Sequence, residues 1–221
     1  MSNPGNMSDL WKRLRFVLFA ILVYRIGTHI PIPGINPDQI AVFFEDQTEN
    51  RTILEMFNLF SGGALERMSI FALNVVPYIS AAIIMQLFSN SIPYLQELKK
   101  DGQAGRNKIT QYTRYGTALL AFIQASALAA TLSAQEDFTT VSGALFFVPA
   151  VFSIVAGTMF LMWLGEQVSE RGIGNGISII IATSILTGIP GAIGQALTLS
   201  SKGELSVLVL LGIGLLSMAI I

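Results

Sequence analysis

No combination of residues typical of nucleophilic or metal-based catalysis is evident in this sequence. The sequence has no cysteine and one histidine, His29, which excludes disulfides and thiol chemistry and leaves a histidine-based metal cluster unsupported. A serine nucleophile would have to use His29 as its base, but His29 stands beside Pro31 at the end of an apolar stretch, as interfacial residues do. There is also no Gly-x-x-x-x-Gly-Lys-Ser/Thr loop for nucleotide hydrolysis. We therefore expect no enzyme activity, no catalytic residue, no metal and no cofactor.

One glycine-rich stretch, Gly172-Ile-Gly-Asn-Gly176, invites a nucleotide-binding interpretation. A phosphate-binding glycine loop lies between a strand and a helix of a soluble α/β unit, whereas the flanks here are long apolar runs. Glycines also let helices or loops approach one another closely. The stretch therefore predicts tight packing where the fifth membrane helix begins.

The elements that must position these residues are long apolar segments. Hydrophobic residues make up 52% of the chain and charged residues 12%, whereas a soluble domain carries about 25% charged residues. Five charge-free runs have about the length of 20 residues that a bilayer crossing needs. These runs are 68–96, 115–135, 138–165, 172–201 and 205–221. With the apolar stretch 16–30, they give six candidate spans.

Spans of this length must be helical because lipid offers no partners to backbone amides, and the lack of two-residue alternation disfavours a barrel. The sequence thus predicts an all-α polytopic membrane protein, with one transmembrane domain over 1–221. We place its spans at 16–30, 74–92, 115–134, 146–165 and 176–195, and a truncated sixth span at 205–221. Because that last run ends at Ile221 without a flanking charge, we expect the chain to be a fragment of a longer protein.

The orientation of the spans follows from lysine and arginine, which cytoplasmic loops retain. The segment 1–15 carries three basic residues near its end, so we expect the N-terminus in the cytoplasm. The segment 38–67 has two basic residues against six acidic ones and suits the outside. The loop 93–114 returns to the cytoplasm with five basic residues: Lys99, Lys100, Arg106, Lys108 and Arg114. The turn 166–175 follows the rule poorly, and we place it inside because the spans alternate.

The stretch 58–86 is typical of an interrupted membrane segment. A glycine pair is followed by 64–73, which contains Glu66 and Arg67, and the span begins only after it. Two adjacent charges are costly in hydrocarbon, so a half-helix that carries them must face protein, a water-filled cavity or the membrane surface. Such interruptions point to a transport pathway. From the residues alone, an exposed loop helix leading into a span is the alternative.

Several uncommon motifs occur in a fixed order along the chain. They are Ile30-Pro-Ile-Pro-Gly34, the run Met56-Phe-Asn-Leu-Phe-Ser-Gly-Gly-Ala-Leu65, Pro77-Tyr-Ile-Ser80, the loop 105–116 and the charged, glycine-laced joint 157–178. Together they make the chain, from about residue 14 onward, resemble the SecY family, the channel subunits of the bacterial protein translocon. The resemblance implies the first half of a ten-helix inverted-repeat channel plus the start of the sixth helix, with a re-entrant plug half-helix.

The resemblance implies a plug over 58–73, a short helix that sits in the outer funnel and moves aside when a polypeptide enters. Its core residues are Phe60, Ser61, Gly62, Gly63, Ala64, Leu65, Glu66, Arg67, Met68 and Ser69. It also implies an apolar pore ring at the waist of the channel, formed here by Val75, Ile79, Ile177 and Ile181. Stiff β-branched side chains would resist hydration of such a constriction. From their four-residue spacing alone, these residues are lipid-facing or packing residues.

Three polar residues, Ser80, Gln86 and Gln124, lie in otherwise apolar spans. Their ordinary role is an interhelical hydrogen bond of about 0.6 kcal/mol. The resemblance implies that the positions of Ser80 and Gln124 lie at the lateral gate, the seam through which the channel opens to lipid, and Gln86 is a further candidate. A weak polar contact would hold that seam shut at rest and yield to a signal sequence.

The basic residues of the loop 93–114 could bind anionic lipid headgroups or ribosomal RNA, although topology alone explains them. As a whole, the resemblance implies a passive channel subunit of the bacterial inner membrane that passes unfolded secretory proteins and releases membrane segments sideways. The implied partners are the SecE and SecG subunits, the SecA motor, the ribosome with its nascent chain, signal sequences and membrane lipid, without free nucleic acid.

Two other functions stay open. A small-solute transporter would need more coordinating polar groups near the midplane than Asn74, Ser80 and Gln124 supply. In a non-transporting membrane scaffold, deletion of 64–69 would leave ion leakage unchanged. Because half a channel cannot enclose a pore, we expect this chain alone to translocate nothing.

Overall fold

The computed structural model describes residues 7–36, 39–40, 61–134, 138–141 and 143–201, and for 191–193 and 195–201 it describes the backbone alone. Within these ranges the chain has six helices of eight residues or more: α1, Met7–Gly27; α2, Val76–Ser91; α3, Pro93–Lys100; α4, Gly102–Ser133; α5, Ala144–Arg171; and α6, Gly176–Ser201. The extended pairing in the same ranges is limited to two isolated bridges, between Pro31 and Ser69 and between Ile35 and Thr139. The predicted all-helical fold is confirmed.

Two of these helices, α4 and α5, are long and apolar enough by length and composition to cross a bilayer, with 32 and 28 residues. The apolar stretch Gly176–Pro190 of α6 is shorter. Large apolar side chains on α4 and α5 are exposed, among them Leu119 at 62% and Phe152 at 65%. An apolar outer surface of this kind is what lipid-facing helices present. The expected sixth span, 205–221, lies outside the described residues.

The helices enclose two apolar clusters that share α5. In the first, small side chains on α4 (Ala125, Ala129) pack against Ala150 and Ile154 of α5. Small residues let helix backbones approach closely, which is how membrane helices gain van der Waals contact. The second cluster joins α1, α5 and α6 to the segment 61–75 that precedes α2. This second cluster positions the candidate site.

The segment 93–114, expected to be a loop, is mostly helical. Helix α3 ends at Lys100, and α4 begins at Gly102 after a single intervening residue. The buried Leu95 and Leu98 show that α3 packs one apolar face inward, and a Cβ at Gly105 would lie 1.6 Å from the carbonyl oxygen of Leu98. The clustered charges predict a segment outside the membrane, and such a segment can be helical, since lysine and arginine are good helix formers.

The expected turn 166–175 is also shorter than predicted, because α5 continues to Arg171 and leaves only 172–175 between the helices. Gly172 and Gly176 make this joint tight. A Cβ at Gly176 would lie 2.0 Å from the carbonyl oxygen of Gly165, and one at Gly172 would lie 2.8 Å from a methyl carbon of Val17. The tight packing that the glycine-rich stretch predicts is confirmed.

Candidate functional site

The segment 61–75, which we call the turn segment, lies among α1, α5 and α6 and leads into α2. The half-helix expected over 64–73 is wrong. The chain makes one turn after Gly63, and a Schellman motif ends that turn: Met68 N–H donates to Leu65 O at 2.9 Å, and Ser69 N–H donates to Ala64 O at 2.9 Å. The remaining residues form further turns.

Positive φ angles explain why the turn segment cannot continue as a helix. Gly62 and Gly63 have φ of 65° and 80°, and two residues with side chains, Met68 and Asn74, have φ of 42° and 49°. A right-handed helix needs φ near about −63°, so each of these residues breaks it. Asparagine tolerates the left-handed region better than most residues, whereas Met68 is held there by its buried side chain and the Schellman hydrogen bonds.

Backbone hydrogen bonds fix the middle of the turn segment to the chain that follows α1. Ile32 N–H donates to Met68 O at 2.9 Å, and Ile70 N–H donates to Ile30 O at 3.0 Å. They enclose the bridge between Pro31 and Ser69. Proline has no N–H to contribute to such a pairing, so the neighbours on each side supply the bonds.

The C-terminal part of the turn segment is held by an aromatic socket, formed by Gly27, Gly157, Tyr24 and Phe160 around Phe71. The ring of Phe71 is stacked between those of Tyr24 and Phe160, with centroids 6.1 and 6.0 Å away. A Cβ at Gly27 would lie 2.0 Å from the Phe71 ring, and one at Gly157 would lie 2.1 Å from Ile70 O. Only glycine fits at these two positions.

The N-terminal part is held by a polar cluster, formed by Tyr24, Asn74, Ser184 and the carbonyl of Ser61. The Tyr24 hydroxyl lies 2.5 Å from Ser184 Oγ and 3.1 Å from Ser61 O. Asn74 Nδ2 donates to Ser184 Oγ at 3.1 Å. All four residues are buried. Nearby, Arg25 donates to Gly62 O at 3.4 Å.

The four residues expected in a pore ring lie in one apolar cluster with the turn segment. Val75 is buried at 2% exposure, and Ile79, Ile177 and Ile181 are half-buried around the same core. The fully buried Ala64 of the turn segment belongs to that core. The structure therefore brings together residues from the start of α2, the start of α6 and the expected plug. Phe60, also expected in the plug, lies outside the described residues.

The three residues expected at a lateral gate lie on two helices, α2 and α4, that pack against each other. Ser80 and Gln124 are half-buried, whereas Gln86 is exposed. A Cβ at Gly116 of α4 would lie 3.5 Å from that of Ala81 on α2. Ser80 is the sequence neighbour of Ala81, which lies where α2 and α4 are in van der Waals contact.

Most of the expected cytoplasmic basic residues are exposed on α3 and α4. Lys100, Arg106 and Lys108 are exposed, and Lys99 donates to Asn90 at 3.3 Å. Arg114 differs, since it forms a two-pronged ion pair with Glu166 of α5, at 2.9 and 2.8 Å. Arg114 precedes the apolar part of α4, and its hydrogen bond to Glu166 raises its pKa above the ordinary value. Glu166 belongs to the stretch 166–175, which has two acidic residues against one basic residue, and the pair with Arg114 compensates its charge.

Asn175 and Ser169 fix the start of α6. Asn175 Oδ1 accepts hydrogen bonds from the backbone N–H groups of Ile177 and Ser178, at 3.0 and 3.3 Å, as an N-cap does. Ser169 Oγ accepts from Gly176 N–H at 2.8 Å. The caps hold the expected ring residue Ile177 in register against α5, where its side chain fills the space beside Gly165.

Sequence reasoning missed Tyr24, Phe71 and Ser184 as site residues. A buried tyrosine hydroxyl needs a partner, so Tyr24 within an apolar span was a usable signal. Ser184 was another, because serine in a membrane helix seeks an interhelical bond. Nothing in the residue types reveals that the two meet across 160 positions of sequence.

The comparisons with known proteins agree with this geometry. A family model described as SecY matches residues 69–221. A protein translocase subunit SecY of Pseudomonas aeruginosa is 55% identical over 217 residues, covering 98% of this chain and 48% of the relative. That of Vibrio cholerae is 52% identical, covering 100% of this chain and 49% of the relative. Among solved structures, Sec61 in the canine ribosome-channel complex from the endoplasmic reticulum matches with a TM-score of 0.57 at 18% identity, covering 86% of this chain and 39% of that one.

The fold and the site together define a polytopic helical membrane protein with a re-entrant segment enclosed by its helices. The family match covers most of the chain, and the chain belongs to the SecY family. The resemblance seen in the sequence motifs is thereby confirmed, and the likeness to Sec61 supports the fold. The chain spans about half the length of the curated relatives it matches.

Proposed function

We propose that this chain forms the N-terminal half of a protein-conducting channel, through which unfolded secretory proteins cross the membrane and membrane segments leave sideways. The observation that carries the proposal is the apolar cluster in which Val75 and Ile79 of one helix start, Ile177 and Ile181 of another, and Ala64 of the turn segment are packed together. A narrow apolar constriction resists hydration, and a movable segment beneath it completes a seal. The names of the relatives, translocase subunits, support the same function.

In this proposal the plug is the segment 58–73, to which the turn segment contributes 61–73, and the four β-branched residues are one half of the pore ring. The ring closes only when further apolar residues come from a second half of the channel. Ser80, Gln86 and Gln124 lie on the gate side of α2 and α4. Ser80 and Gln124 are half-buried and Gln86 is exposed, which supports a role at a seam that faces lipid or a second half of the channel.

The proposed setting is the inner membrane of a bacterium, with the N-terminus in the cytoplasm. The exposed basic residues on α3 and the start of α4 support this orientation, because cytoplasmic segments retain lysine and arginine. SecE and SecG would complete the channel, and SecA or the ribosome would supply the driving force. The subunit itself would not be an enzyme, and no cofactor would take part.

Site-specific crosslinking to a stalled substrate tests the proposal. A photo-crosslinking residue is placed at Ile79, or separately at Gln124, in a full-length SecY chain that carries this sequence as its first half. A secretory precursor is then stalled in transit. We expect Ile79 to crosslink to the mature region of the precursor and Gln124 to its signal sequence.

The matched control is Leu119, which lies on the same helix as Gln124 but is an apolar side chain exposed at 62%. It should capture neither part of the precursor. If Ile79 and Gln124 give no crosslink while the precursor still reaches the membrane, the channel function is wrong and a membrane scaffold replaces it. Crosslinks of equal strength at all three positions would also contradict the proposal.

A further inference from the structure

The polar cluster joins two helices to both ends of the turn segment. Tyr24 lies on α1 and Ser184 lies on α6, whereas the Ser61 carbonyl and Asn74 belong to the two ends of the turn segment, Asn74 two residues before α2. Each contact is a neutral hydrogen bond between buried groups. The N-terminal end of the turn segment therefore depends on the positions of α1, α6 and the residues that lead into α2.

Hydrogen bonds link these groups in a chain. The Ser61 carbonyl can only accept, and the Tyr24 hydroxyl is its donor. The Tyr24 and Ser184 hydroxyls share a hydrogen bond in which either can be the donor, and Ser184 Oγ accepts from the Asn74 amide. The result is a chain of hydrogen bonds from Asn74 through Ser184 and Tyr24 to Ser61. Bonds in such chains polarise and strengthen one another in a low-dielectric interior.

Two members of the cluster stand next to the proposed ring residues. Asn74 directly precedes Val75 in sequence. Ser184 comes three residues after Ile181, so the two share a face of α6. A polypeptide that pushes the ring residues apart would move Asn74 and Ser184 with them. Ser184 has an alternative acceptor, Ile180 O, at 3.0 Å within its own helix, so its proton keeps a partner once Tyr24 is lost.

We propose that Tyr24, Asn74 and Ser184 form a latch that couples the pore ring to the plug: widening of the ring breaks the chain of hydrogen bonds and frees the N-terminal end of the turn segment. Phe71 stays in the aromatic socket and acts as the hinge. This inference rests on the proposed function, because it assigns the closing device of the same channel.

Thiol labelling in a resting channel tests the latch. The chain has no cysteine, so Ala64→Cys introduces a single thiol at a fully buried position of the turn segment. The variant is made in a full-length SecY chain that carries this sequence and is otherwise free of cysteine. The measurement is the rate at which a membrane-impermeant maleimide, added from the outer side, labels that thiol.

Tyr24→Phe removes the hydroxyl and keeps the ring, and Ser184→Ala removes the serine hydroxyl. We expect either change to raise the labelling rate about threefold to tenfold, as the loss of one net hydrogen bond implies. The double variant should label no more than about twice as fast as the faster single variant, because both changes break the same chain.

The control for the removal of a hydroxyl is Thr183→Val. Thr183 is the neighbour of Ser184, is 9% exposed, and donates to Ile179 O of its own helix. Removal of the Thr183 hydroxyl should leave the labelling rate unchanged. A second thiol, Ala72→Cys, reports on the hinge end and should stay slow to label in every variant, whereas general unfolding would expose both thiols.

Three results would overturn the latch: an unchanged rate in Tyr24→Phe, an equal rise in Thr183→Val, or an equal rise at Ala72→Cys. Precursor translocation, measured in the same vesicles, separates this test from that of the proposed function. The thiol rates need no substrate. A channel that labels as expected but moves no precursor would contradict the proposed function and leave the hydrogen-bonded closure intact.

Discussion

The two ends of the turn segment are held by different kinds of contact. At the aromatic socket, Phe71 is stacked between two rings, and Gly27 and Gly157 leave no room for a side chain. At the polar cluster, the Ser61 carbonyl is held by the hydroxyl of Tyr24. Tyr24 takes part in both, since its ring stacks and its hydroxyl bonds.

This difference matters more in a membrane than in water. Burial from lipid provides little hydrophobic driving force, so close packing and hydrogen bonds carry helix association. The dispersion attraction between closely packed atoms falls steeply when the atoms separate. A single hydrogen bond contributes about 1 kcal/mol and can re-form with other partners. One end is therefore suited to stay fixed, and the other to be released.

Removal of the Phe71 ring should have the largest effect on stability. Phe71→Ala empties the socket, and buried phenylalanine-to-alanine changes cost about 3–5 kcal/mol. Thermal unfolding of the detergent-solubilised full-length chain would measure the loss. Phe122→Ala removes the same ring from a side chain that is 51% exposed on α4, and it should leave the unfolding temperature nearly unchanged. Similar losses for the two variants would contradict the fixed role of the socket.

Addition of one methyl group inside the socket should cost less. The Cβ of Gly157→Ala would lie 2.1 Å from Ile70 O, so backbone must move, and overpacking of this kind costs about 1–3 kcal/mol. Gly116→Ala is the matched change, because its Cβ would lie 3.5 Å from Ala81, an ordinary contact. It should be neutral or stabilising by up to about 1 kcal/mol. The same thermal assay compares the two, and a neutral Gly157→Ala would show that the approach of α5 to Ile70 is loose.

The difference between the two ends also marks what the sequence could reveal. Composition predicted the long apolar helices, and the spacing of glycines predicted the tight joint before α6, because both depend on local chemistry. The turn segment was expected to be helical since residue types do not disclose that Met68 adopts a positive φ. The pairing of Tyr24 with Ser184 depends on how α1 and α6 are arranged, which a single sequence does not specify.

Two substitutions at Tyr24 should separate the two ends within one residue. Tyr24→Phe keeps the ring in the socket and should cost about 1 kcal/mol, the net value of a buried hydrogen bond. Tyr24→Ala removes the ring as well, so its free-energy cost should exceed that of Tyr24→Phe by the cost of the cavity that the ring leaves. Thermal unfolding of both variants gives the difference directly. If the two were equally destabilised, the stacking on Phe71 would contribute nothing, and the hinge would have to lie elsewhere.

The ion pair between Arg114 and Glu166 should matter least, because the Arg114 side chain is 47% exposed. Exposed pairs contribute about 0.2–1 kcal/mol and weaken with salt. Arg114→Gln should therefore lower the unfolding temperature slightly at low ionic strength, and the difference from the parent should shrink in 1 M salt, where the screening length is about 3 Å. A loss as large as that of Tyr24→Phe, or one that salt leaves unchanged, would mean that the contact between α4 and α5 at this end constrains the site as strongly as the polar cluster does.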